Sequence, residues 1–102
     1  MKRKRRLREQ VQGLGQVYKK DEWLADVWYF LRIIEEVVGS GSSPGPMGAE
    51  GEIDVRKGER DLVLNGNGPY SLHLQDGRRI EIVVYPHDRA RGIYAVERVG
   101  GG

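Results

Sequence analysis

Tyr70-Ser71-Leu72-His73-Leu74-Gln75-Asp76-Gly77-Arg78-Arg79-Ile80-Glu81-Ile82-Val83-Val84 decides the fold. Apolar residues at 70, 72, 74, 80, 82 and 84 alternate with mostly polar ones, the period of a strand with one wet face. Asp76-Gly77 marks a reversal, because glycine takes positive φ without a Cβ penalty. A two-residue Asp76-Gly77 loop would set Leu72 against Glu81 and Leu74 against Arg79, mixing the faces. A three-residue loop, Gln75-Asp76-Gly77, with Gly77 left-handed in a bulge, sets Leu72 against Ile80 and Tyr70 against Ile82. Pattern and turn chemistry then agree, and the stretch predicts a β-hairpin with that register.

The same alternation recurs outward from it. Gly13-Leu14-Gly15-Gln16-Val17-Tyr18 predicts a first strand, its glycines allowing a bulge or a close backbone approach. Lys19 to Glu22 is a polar reversal whose register the sequence leaves open. Residues 23–38 fit a helical stripe with Asp21 as cap, but that stripe leaves Trp23, Phe30, Ile33 and Val37 crowding the other faces. As a strand, Trp23, Ala25, Val27, Tyr29, Leu31 and Ile33 form one apolar face, and β-branched and aromatic enrichment favours that form. Short strands follow at Glu52–Val55, Leu62–Leu64 and Ile93–Val99, and Pro86 is expected to end the hairpin. About seven short strands predict an all-β fold, a small antiparallel barrel or two-layer sandwich.

A chain of 102 residues makes one domain with a modest core. The apolar share of 38% is low, yet it sits in a few short runs, which favours folding over disorder. The absence of cysteine removes disulfides and thiolate metal sites and points to the cytoplasm. No apolar run has the length of a membrane span. The net charge of +2 conceals an asymmetry, since Lys2, Arg3, Lys4, Arg5, Arg6 and Arg8 are six of the 17 bases. The remaining eleven bases meet 15 acids, so a basic arm precedes a body of net −4. The expected organisation is a flexible basic arm over 1–12, a single β domain over 13–99 with a flexible Gly/Ser/Pro-rich loop at 39–51, and a glycine tail at 100–102.

Gly13-x-Gly15-x-Val17, Leu24-Ala25-x-Val27-x-Tyr29-x-Leu31, Gly51-x-Ile53 and Tyr70-x-Leu72-x-Leu74-x-Asp76-Gly77-Arg78 together resemble a family of small uncharacterised prokaryotic all-β domains. The resemblance spans residues 13–99 and lies in strand alternation and one turn. It implies an all-β domain and brings no functional residue with it.

The chemistry-bearing residues are sparse. The serines have no nucleophile elbow or adjacent base, and Gly66-x-Gly68 does not open a helix that would cradle a phosphate. Asp54, Asp61, Glu59, Glu35 and Glu36 have no identifiable acid–base partner. His73 and His87 fall on different elements, so neither metal nor cofactor is expected. Gly100-Gly101-Gly102 is shared with ubiquitin-like modifiers, but only one short strand precedes residues 23–38, where a β-grasp needs two. No enzyme is expected. Trp28 and Phe30 should share an outer strand face with Asp26 and Arg32, and aromatics bordered by charge mark a contact surface for a protein partner or a second copy. The alternative is a nucleic-acid accessory protein that neutralises phosphates through Lys2, Arg3, Lys4, Arg5, Arg6 and Arg8.

Overall fold

The computed structural model describes residues 4–37, 44–66 and 68–99. Six antiparallel strands make up the fold: β1 (Lys4–Lys19), β2 (Glu22–Val37), β3 (Pro44–Gly58), β4 (Tyr70–His73), β5 (Arg79–Asp88) and β6 (Ile93–Arg98). They close into a barrel in the order β1-β2-β3-β6-β5-β4. The first three strands form a meander, and β3 lies beside β6 after the long connection to β4, which gives β3 to β6 a Greek-key order.

The β4–β5 hairpin takes the expected register, with Tyr70 opposite Ile82 and Leu72 opposite Ile80. Its three-residue loop is closed by Leu74 N–H donating to the Arg78 carbonyl at 2.8 Å, and Gly77 stands at φ +94°. At the other reversal Lys19 pairs with Glu22 across Lys20-Asp21, with Lys20 at φ +55°. Residues 22–37 are strand, as the aromatic and β-branched content predicts.

Period-two alternation fills the interior. Val17, Val27, Ile53, Leu72, Val84 and Tyr94 are among the fully enclosed side chains, and Tyr29 is buried beside them. Tyr29 pairs with Gly13, and its ring lies across Gly13 and Gly15; a Cβ at Gly15 would stand 3.0 Å from that ring and 2.6 Å from the His73 carbonyl. The two glycines are therefore the gap the tyrosine fills.

Five expectations change. Leu62-Val63-Leu64 is not a strand but part of a 3₁₀ turn (Leu62–Asn65), so the strands number six. Leu62 is enclosed beneath two core tyrosines: the Tyr94 hydroxyl accepts from Leu62 N–H at 2.9 Å and donates to the Arg60 carbonyl, while the Tyr70 hydroxyl donates toward the carbonyls of Leu62 and Gly66. Residues 4–12, expected as a flexible arm, belong to β1, with Lys4, Arg5 and Arg6 opposite Val37, Glu36 and Glu35. Residues 44–51 of the expected loop belong to β3. Pro86 does not end β5, which runs to Asp88; it sits where β5 has only β6 as neighbour, a setting that tolerates a missing N–H. The apolar face of β2 also shifts at its ends. Trp23 is exposed, and beyond Leu31 it is Ile34 that is buried while Ile33 stays half-buried.

Strand lengths shape the molecule. β1, β2 and β3 run 16, 16 and 15 residues, but β4 pairs only with residues 16–18 of β1 and β6 only with 50–54 of β3. Their remainder projects from the ring as a three-stranded ribbon, so the molecule measures 46 × 24 × 22 Å.

Candidate functional site

Residues that alternate with the core positions of β2 face outward, which places Asp26, Trp28, Phe30 and Arg32 together on the outer wall. Register extends each into a row across the sheet. Trp28 lies between Leu14 of β1 and Asp54 of β3, and Asp54 is followed by Ile93 of β6. Phe30 lies between Gln12 and Glu52, and that row continues through Ala95 to Tyr85. Asp26 lies between Gln16 and Lys57, with His73 beyond Gln16.

The four expected residues are thus co-facial, with distinct contacts. Trp28 keeps 39% of its surface exposed although it stands at mid-strand. Leu14 beside it is 56% exposed and Tyr85 46%, so three large apolar groups share this wall with the half-buried Phe30 and Ile93. Arg32 reaches Glu50 at 3.8 Å and lies 5.9 Å from the centre of the Phe30 ring, a cation–π arrangement. Asp26 accepts from the Trp23 indole N–H at 3.0 Å, which ties it to the near end of β2.

Between the Trp28 and Phe30 rows lies a groove of about 270 Å³, lined by both rings, Glu52, Asp54 and Ile93. A second of about 310 Å³ runs past Arg32, Glu50, Glu52, Tyr85 and Glu97. A third, of about 400 Å³, lies across the closing seam and includes Leu14, Gln16, Asp26, Lys57, His73 and Gln75. Glu52, Tyr85 and Ile93 were not singled out by sequence, and Asp54 only as a carboxylate without an acid–base partner. Glu52 and Asp54 do alternate with the core residues Ile53 and Val55, which was signal enough to face them outward but not to set them beside Trp28.

Lys2 and Arg3 lie outside the described residues. Arg8 forms an ion pair with Glu35 at 3.3 Å, so the basic stretch meets acidic positions of β2 along the ribbon. His73 faces outward opposite Arg79 and stacks on Tyr18, ring centres 4.3 Å apart. Burial, and then the Arg79 charge, hold its pKa below the ordinary imidazole value. Among the described residues no cluster of three His, Asp or Glu side chains stands where it could hold a metal ion. Also among them, no helix is long and apolar enough to cross a membrane.

Comparison with family models, with curated proteins and with solved structures yields no match of significance.

Proposed function

We propose that this domain is a non-enzymatic binding module whose partner, a protein, docks on the outer wall of β2. The observation that carries the reading is the half-exposed pair Trp28 and Phe30, held at mid-strand in a closed barrel and bordered by Asp26, Arg32, Glu52 and Asp54. A strand in a ring cannot reorganise cheaply, so its side chains are presented with little ordering cost on binding. Large rings give contact area, and the ionised border gives orientation. The sequence places no base beside a nucleophile, which fits a binding role better than catalysis.

The double variant Trp28→Ser/Phe30→Ser tests it. Both side chains lie outside the core, so the far-ultraviolet circular dichroism should keep its β form. Association, measured by sedimentation for the chain alone and by co-purification with a co-expressed partner, should be lost. Unchanged sedimentation and unchanged co-purification would overturn the assignment of this wall. A wild-type oligomer that dissociates in the variant would identify the partner as a second copy.

A further inference from the structure

We infer that the groove between the Trp28 and Phe30 rows takes a cationic side chain, lysine or arginine, from the docked partner. The inference rests on the docking reading above and specifies its chemistry. Asp54 stands opposite Trp28 and Glu52 opposite Phe30, so each ring of β2 has a carboxylate across the β2–β3 ladder. With Ile93 behind them they enclose about 270 Å³, room for one long side chain rather than a folded element. Asp54 has only an exposed contact with Arg56 at 3.7 Å, a pair that water screens strongly. Glu52 is exposed and has no ion-pair partner among the described residues.

The wall already binds one such group from its own chain. Arg32 lies 5.9 Å from the Phe30 ring centre and 3.8 Å from Glu50, combining one ring and one carboxylate. A guest in the adjacent groove would meet two rings and two carboxylates, the same arrangement doubled. A guanidinium or ammonium can place its charge against the ring quadrupole and its donors on the carboxylates, while its alkyl stem covers Ile93. An anion would meet two like charges there, and a neutral apolar group would desolvate both carboxylates without compensation.

Titration of ¹⁵N-labelled protein with the capped peptide Gly-Arg-Gly-Arg-Gly tests the inference, beside peptides carrying citrulline or glutamate for arginine. Citrulline keeps the shape of arginine without its charge. The arginine peptide should shift the Trp28 indole and the amides of residues 28–30 and 52–54, bind at least tenfold more tightly than the citrulline peptide, and weaken as salt rises. Glu52→Gln/Asp54→Asn, which alters only wall positions, should lose that tenfold preference, and Trp28→Ser should lose binding. Equal binding of arginine and citrulline, preference for glutamate, shifts centred elsewhere, or no binding would each overturn the cationic assignment. The docking reading fails separately, when the association measured above survives Trp28→Ser/Phe30→Ser.

Discussion

Gly51 has no room for a methyl group. A Cβ built there would lie 1.9 Å from the Phe30 carbonyl oxygen and 3.0 Å from the Leu31 Cα, both backbone atoms of the neighbouring strand. The glycine thus sets how closely β2 and β3 approach beneath the aromatic wall. Gly51→Ala must spread the two strands, and a loss of about 3 kcal/mol or more in urea unfolding is expected, among the larger single-site effects. Gly77 is the informative contrast. It stands at φ +94° with open space around its missing side chain, so Gly77→Ala meets only the backbone preference of an L-residue, about 1–2 kcal/mol. Similar losses at the two positions would show that strand spacing at Gly51 is soft, and that the wall above it is less rigid than docking requires.

At the scale of elements, the 3₁₀ turn Leu62–Asn65 is held by side chains where a strand would be held by a ladder. Tyr94 serves Leu62 N–H and the Arg60 carbonyl, and Tyr94→Phe leaves both polar groups short of a partner at a buried site, a loss of about 1–3 kcal/mol. Burial raises the pKa of Tyr94 and Tyr70 above the ordinary 10.0, with the Asp61 carboxylate adding to both. The unfolded chain therefore loses these protons first. Their contribution is complete below pH 10 and falls as pH rises toward the folded-state values. Denaturation midpoints followed above pH 10 should drop steeply for the wild type and less for Tyr94→Phe; parallel curves would mean that the hydroxyl titrates freely in the folded protein. This turn also shows where sequence reading stops. Leu62-Val63-Leu64 has the composition of a strand, and its true partners are hydroxyls on distant strands. The hairpin at 70–84 was legible because Asp76-Gly77 and the apolar pattern constrain the same register. The basic end of β1 was not, since it carries no period of its own and pairs with an acidic stretch of β2 some thirty residues along. Trp28, Phe30, Asp26 and Arg32 were placed on one face by alternation alone. Glu52 and Asp54 completed the groove only through the β2–β3 register, which no local pattern encodes.

Taken whole, the molecule is a ring with a ribbon, and the two parts carry opposite charge. The β1–β4 ladder that closes the ring uses Gln16–Tyr18, and Glu9 and Leu14 add an ion pair with Arg78 and a hydrogen bond with Gln75 across the same seam. Phe30 pairs with Gln12, so residues 4–8 contribute only to the ribbon. Without them the chain keeps eleven bases against 15 acids, a net of −4. Removing residues 1–8 should then leave a cooperatively unfolding β protein, less stable because Ile34 and Glu35 lose their cover and Arg8 no longer meets Glu35. Retention on heparin, expected for the full chain through its clustered bases, should vanish in the shortened one. Binding of the arginine peptide at Trp28 should persist, since the groove lies wholly within the retained residues. The two measurements separate the possible roles of the molecule. Loss of heparin retention with the groove intact assigns any polyanion contact to residues 1–8 and leaves the wall to the protein partner. Retention by the shortened chain would place an anion-binding surface on the acidic ring itself, against the charge distribution and against a groove that selects cations.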